Sequence, residues 1–202
     1  MTYLAVEGCI ASGKTTLAKA LALRCQIQFV LEDYHDVPSL ELFYKDPDRH
    51  AFETEIQFTQ SHYNRLVSAL EINNGTPFIT DFTLKRDLLF ASITLEHQPV
   101  KLTEYKLFWQ GLATQLPEPD WIILLEAPID ELLNRIKQRG RPFEQEISEG
   151  YLKRLVLGLR NIYRGFADDV LIKLESTGLA ELLKAVPTNL TARLGSSHQP
   201  GT

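Results

Sequence analysis

Gly8-Cys9-Ile10-Ala11-Ser12-Gly13-Lys14-Thr15 satisfies the spacing Gly-x-x-x-x-Gly-Lys-Thr, and it stands between a short apolar run, Tyr3-Leu4-Ala5-Val6, and a helical pattern over residues 14–24. In a strand–loop–helix of this kind the loop's backbone N–H groups point inward, and the helix N-terminus adds its positive end. Such a loop holds phosphate. Lys14 is placed to reach the terminal phosphates, the Thr15 hydroxyl to bind Mg²⁺, and the loop from Gly8 through Thr16 to cradle the remainder. ATP and Mg²⁺ are therefore the expected cofactors.

Outward from this loop, further short apolar runs recur at Ile27 to Leu31, Pro77 to Thr80, Ile122 to Leu125 and Val170 to Lys173. Each is too short for a helix and is bounded by turn or charged residues, so each predicts a buried strand. Helical patterns fill the intervals, at about 14–24, 39–45, 48–74, 84–95, 100–115, 129–138, 148–165 and 178–186. In the longest of them Phe52, Ile56, Tyr63, Leu66 and Leu70 fall on one face. Strands alternating with helices predict an α/β fold: a five-stranded parallel sheet covered by helices on both faces, of the P-loop NTP-binding type. Residues 1–187 are expected to form one domain, and 188–202, rich in polar residues, Gly and Pro, a disordered tail.

Composition narrows the function. The chain has 202 residues, 44% hydrophobic and 23% charged, in the range of a globular protein. A net charge of −5 with no basic block argues against a nucleic-acid partner. Cys9 and Cys25 are too few for a disulfide framework or a metal site. No apolar run approaches the roughly 20 residues that span a bilayer. The chain enters a strand pattern without a charged leader and apolar signal segment, which predicts a cytoplasmic enzyme acting on a small molecule.

Further segments identify what the phosphate loop serves. After the second strand comes Glu32. The run Leu42-Phe43-Tyr44-Lys45-Asp46-Pro47-Asp48-Arg49-His50-Ala51-Phe52 follows, then Asp81 after the third strand, then Arg135-x-x-x-Arg139-Gly140-Arg141-x-x-Glu144. In this order, over residues 1 to about 175, the chain resembles the deoxynucleoside kinase family. That resemblance implies an Arg-rich lid and phosphoryl transfer to the 5′-hydroxyl of a deoxynucleoside in nucleotide salvage, by an enzyme that is usually a homodimer. It implies that Glu32 accepts the hydroxyl proton and that Tyr44 and Glu144 bind the sugar 3′-hydroxyl. Asp81 then lies near the metal with Thr15, and Arg135, Arg139 and Arg141 close over the phosphates. The chemistry agrees, since phosphoryl transfer is mostly positioning and charge stabilisation. A hydroxyl acceptor also gains from a carboxylate beside it.

Each residue has a plainer reading. Glu32 shares an acidic loop with Asp33 and Asp36, Tyr44 can be a packing aromatic, Asp81 can cap the helix starting near Leu84, and the arginines can form surface ion pairs. The resemblance also breaks in one region. Glu55 stands where the family usually has a base-pairing Gln, His62 where an Arg follows seven residues later, and Phe82-Thr83 where Arg-Ser follows the acid. Glu55 and His62 project from nearly the same helix face. Ionised Glu only accepts hydrogen bonds, so Glu55 suits the N1–H and 2-amino group of guanine, which points to a purine. Alternatively, protonated His62 pairs with Glu55 and offsets its burial, or both residues are solvated. Phe82 fills the space of the missing Arg, narrowing the pocket or stacking on a base. Other readings remain: a kinase of the same fold acting on a nucleoside monophosphate or another small alcohol, or a nucleotide-binding regulatory protein without turnover.

Overall fold

A computed structural model of the protein describes residues 3–195. The apolar runs form the strands β1 (Tyr3–Gly8), β2 (Gln28–Val30), β3 (Phe78–Thr80), β4 (Trp121–Glu126) and β5 (Leu171–Glu175). They make one five-stranded sheet in the order β2-β3-β1-β4-β5. Every pairing is parallel, with Leu4 opposite both Ile79 of β3 and Trp121 of β4. The fold is the α/β type that the alternation of strands and helices predicts.

The helices are α1 (Lys14–Cys25), α2 (Leu40–Lys45), α3 (Pro47–Asn73), α4 (Leu84–Thr94), α5 (Pro99–Ala113), α6 (Ile129–Arg139), α7 (Glu149–Tyr163), α8 (Leu179–Ala185) and α9 (Thr188–Gly195). Alternation along β1 divides them between two faces. Leu4 and Val6 pack with Leu17 and Leu21 of α1, Leu182 of α8 and Leu190 of α9. Tyr3 and Ala5 turn the other way, toward Leu66 and Ala69 of α3. On that second face Ile122 and Leu124 of β4 meet α6 and α7 through Leu132, Ile136, Leu152 and Leu155. All six residues of β1 are buried, Glu7 included. An acid at the centre of a parallel sheet is a costly placement unless a cation or hydrogen bonds compensate it.

The C-terminal segment differs from its composition. Residues 188–195 form α9 rather than a disordered tail. Leu190 and Leu194, four apart, make a narrow apolar stripe that is buried with Leu21 and Cys25 of α1. Polar neighbours mask this stripe in a composition average. The rest of the expected tail, 196–202, lies outside the described residues.

Helix starts and stops set the functional edge. Gly13 at φ 95° precedes α1. Asp46 caps α3 by accepting from the Arg49 N–H, with Pro47 in its first turn. Thr83 caps α4 by accepting from the Arg86 N–H. The carboxyl ends of the strands therefore deliver the loops containing Gly8, Glu32 and Asp81, with Ser176 after β5, to one edge of the sheet. Open α/β sheets bind ligands at that edge.

Candidate active site

The phosphate loop turns sharply after β1. Ala11 and Gly13 have φ of 61° and 95°, and Gly8 has 152°. Gly8 has a second constraint: a Cβ there would lie 2.7 Å from the Leu125 carbonyl oxygen and 2.5 Å from Ser12 Oγ. Only glycine lets β4 and the loop approach so closely. Ser12 N–H donates to the Cys9 carbonyl at 3.1 Å, and Lys14 Nζ donates to the same carbonyl at 3.0 Å. Burial and then the nearby Arg86 charge lower the Lys14 ammonium to about pKa 8. A phosphate group is the anion such a poorly compensated cation favours.

Asp81 joins this loop to the rest of the site. Its Oδ2 accepts from the Thr15 hydroxyl at 2.5 Å, and its Oδ1 accepts from the Glu32 N–H at 2.7 Å. Capping of α4 falls to Thr83 instead, so Asp81 is left to face the phosphate loop. Burial raises the Asp81 carboxyl above its ordinary range, against the Thr15 hydrogen bond. A hydroxyl and a carboxylate held together in this way are the oxygen donors a hard cation such as Mg²⁺ accepts. The pair therefore fits the expected metal.

The cavity beside Lys14 and Thr15 is lined by Glu32, Tyr44, Glu55, His62, Arg86, Asp87, Arg139, Arg141 and Glu144, among others. Glu32 is not merely solvated: Arg86 pairs with its Oε2, and His62 Nε2 lies 3.6 Å away. Tyr44 and Glu144 reach the same cavity from neighbouring segments, the Tyr44 ring 5.6 Å from that of Phe143. Burial, with the Glu144 charge second, raises the Tyr44 hydroxyl well above its ordinary range. Glu144 holds Arg139 on one oxygen and Arg141 on the other, the latter at 3.1 Å. The Arg141 guanidinium also stacks 4.1 Å from the centre of the Tyr34 ring. Both arginines border a second groove along Gly13, Thr16 and Ser176, so they stand on the wall between two spaces. Arg135 lines only that groove. It donates to Ser176 Oγ at 2.6 Å and to the Ser12 carbonyl at 3.3 Å, tying the phosphate loop to the end of β5.

The structure corrects the pairing of Glu55 with His62. His62 Nδ1 instead meets both oxygens of Asp87, at 2.8 and 2.9 Å. Glu55 accepts from the Thr94 hydroxyl at 2.9 Å. Spacing on α3 put the two residues on one face, but α4 packs across that face and brings nearer partners. Both are buried, at 4% and 2% exposure, so the solvated reading fails as well. Phe82 is fully buried behind His62, their rings 4.2 Å apart and 14° from parallel. It packs on the histidine and does not line the cavity.

Two residues escaped the sequence reading, Arg86 and Asp87. Both lie in the first turn of α4 and were legible only as helix. The available signal was a basic residue at a helix N-terminus, where the macrodipole disfavours it.

A phosphate loop at the carboxyl edge of a parallel sheet, an acid beside a nearby cavity and arginines between two grooves define a P-loop kinase. Comparison with known proteins narrows the class. The family described as deoxynucleoside kinase matches residues 4–176. A deoxyguanosine kinase of Bacillus subtilis (strain 168) is 35% identical over 156 residues, covering 76% of this chain and 74% of that one. A deoxyadenosine/deoxycytidine kinase of the same organism is 30% identical over 179 residues, covering 86% and 82%. A solved structure of deoxyadenosine kinase from M. mycoides superposes with a TM-score of 0.84 at 21% identity, over 95% of this chain and all of that one. The chain belongs to the deoxynucleoside kinase family, which are phosphotransferases with an alcohol group as acceptor. Among the described residues, no helix is long and apolar enough to cross a membrane.

Proposed function

We propose that this deoxynucleoside kinase transfers the terminal phosphoryl group of Mg·ATP to the 5′-hydroxyl of a purine deoxynucleoside. The observation that carries the reading is the double use of Asp81. One carboxylate touches Thr15 of the phosphate loop and the backbone of Glu32, so the metal end and the acceptor end share one reference point. Bound Mg²⁺ supplies charge neutralisation on the phosphates. Lys14 and the lid arginines face the charge that spreads over the transferring oxygens. Arg86 and His62 both approach Glu32 at Oε2, which leaves Oε1 to take the hydroxyl proton. Tyr44 and Glu144 hold the sugar. The cavity sets Glu32, Glu55, Asp81, Asp87 and Glu144 against Lys14, Arg86, Arg139 and Arg141, and a lining without surplus basic residues suits an uncharged nucleoside better than a monophosphate.

The assay is ADP release from Mg·ATP with deoxyguanosine, deoxyadenosine, deoxycytidine, thymidine, their ribonucleosides and their monophosphates. Turnover on a purine deoxynucleoside is the expected result. Turnover on monophosphates alone would overturn the acceptor assignment, and tight ATP binding without turnover would favour a regulatory protein.

Glu55 sets the expected base preference. Burial raises its carboxyl to about pKa 8, opposed by the Thr94 hydrogen bond, while Asp87 raises it and His62 lowers it. Below that pH the carboxyl is neutral and offers one donor and one acceptor, the pattern that meets adenine N1 and its 6-amino group. Above it the carboxylate only accepts, which suits guanine N1–H and the 2-amino group. Raising pH through about 8 should therefore increase kcat/KM for deoxyguanosine relative to deoxyadenosine. Glu55→Gln should make the ratio independent of pH. A ratio equally pH-dependent in wild type and variant would refute the role of Glu55.

The proposal includes a homodimer. Val100 and Leu107, seven apart on α5, are 71% and 66% exposed and mark an apolar face. Light scattering at micromolar concentration should give twice the 23.0 kDa chain mass; the mass of one chain would contradict it.

A further inference from the structure

Arg86 is 4% exposed, a placement arginine adopts only when paired. It sits in the first turn of α4, where a positive charge opposes the helix dipole. Neither burial nor helix formation explains it; its partners do. One terminal nitrogen donates to the Asp81 carbonyl at 3.0 Å and lies 3.8 Å from Glu7 Oε2. The other terminal nitrogen pairs with Glu32 Oε2. Glu7 is fully buried at the end of β1, and its carboxyl stays above its ordinary range through burial, with the Arg86 charge as the largest opposing influence. A single guanidinium thus lies between the central strand, the loop after β3 and the acid after β2.

Glu32 needs such an anchor. It follows β2, a three-residue strand at the edge of the sheet, and its side chain is 28% exposed. A glutamate there has three rotatable side-chain bonds and little packing to fix them. Its backbone is gripped by the Asp81 carboxylate, and its side chain by Arg86, which is itself tied to the Asp81 carbonyl. Asp81 and Arg86 therefore hold Glu32 at both ends from one short segment.

We propose that Arg86 is a positioning residue for phosphoryl transfer, fixing the Glu32 carboxylate toward the acceptor hydroxyl. It supplies from the first turn of α4 a guanidinium that Phe82, at the position after the acid, does not provide. The role rests on the reading of Glu32 as proton acceptor. Arg86 works through orientation: Glu32 displaced by about 1 Å forfeits on the order of 10²-fold in rate. Lysine substitutes only in part, since it keeps the charge but lacks the guanidinium fork that reaches a carboxylate and a carbonyl together.

The test is a double-mutant cycle of Arg86→Gln and Glu32→Gln, read as kcat with saturating deoxynucleoside and Mg·ATP. Arg86→Gln alone should lower kcat about 10²-fold. In the Glu32→Gln background the same change should cost less than about threefold, because the group it orients no longer accepts a proton. Thermal melting and ATP binding establish that each variant is folded. Should Arg86→Gln fail to fold, Arg86→Lys keeps the buried charge and completes the same cycle, with a smaller loss and the same non-additivity. Equal fold-losses in both backgrounds would show that Arg86 merely holds the structure together and would overturn the proposal. A Glu32→Gln enzyme with undiminished kcat would instead overturn the reading of Glu32, and this role of Arg86 with it.

Discussion

Glu32→Gln should lower kcat by about 10²- to 10⁴-fold, the range over which a positioned general base contributes, while ATP affinity and the KM for deoxynucleoside change little. The substitution keeps the size of the side chain and an oxygen to accept a hydrogen bond from Arg86, and removes the negative charge together with the ability to take a proton. The backbone N–H of residue 32 still reaches Asp81, which it holds at 2.7 Å in the wild type, so the Thr15–Asp81 pair stays in place and the nucleotide side of the site is undisturbed. What changes lies on the acceptor side, at the hydroxyl and at the pairing with Arg86. In the wild type it meets an oxygen whose neighbour Oε2 is already held by Arg86, with His62 close by. In the variant the hydroxyl must release its proton to water or to the transferring phosphoryl group itself. Steady-state kinetics with saturating ATP, beside a direct ATP-binding titration, separates the two sides. A kcat within about fivefold of wild type would mean that phosphoryl transfer depends on neither a base nor a negative charge at position 32.

Much of this arrangement could be read in the sequence, because its signals are local. The phosphate loop is a run of eight residues whose spacing and flanking elements are constrained together. The strands are short enough that period and length agree, and the expected run at Ile27 to Leu31 becomes β2 at Gln28–Val30. Glu32, Tyr44, Asp81, Arg139, Arg141 and Glu144 converge on one cavity. What could not be read is partner choice between distant helices. Seven-residue spacing put Glu55 and His62 on one face, correctly, yet only the packing of α4 on α3 decides that His62 meets Asp87 and Glu55 meets Thr94. Arg86 was hidden for the same reason: an arginine in a helical pattern looks like a surface residue until the chain brings it to Glu32. The tail failed differently. A composition average over 188–202 is dominated by polar residues, whereas two leucines four apart suffice to dock one short helix on α1.

Arg139 carries the second large effect. Arg139→Ala should reduce kcat about 10³-fold, at the lower end of what a transition-state arginine contributes, with a several-fold rise in KM for ATP. Arg139 and Arg141 border both the acceptor cavity and the groove along Gly13 and Thr16. Both are held by Glu144, a carboxylate that is 5% exposed. Phosphate oxygens carry more charge than one carboxylate and accept the planar guanidinium in the same two-pronged manner. Nucleotide arrival should therefore draw at least Arg139 away from Glu144, which frees an oxygen of that acid for the sugar hydroxyl. On this account filling the donor groove prepares the acceptor cavity. Arg141, stacked on Tyr34, serves as the fixed side of the exchange. Glu144→Gln separates exchange from simple loss of contacts. Without the competing carboxylate, ATP should bind more tightly, while the KM for deoxynucleoside rises because the sugar loses a charged partner. If Glu144→Gln weakens both substrates alike, the ion pairs serve only to shape the segment around Pro142, and the two sites are not coupled through this acid.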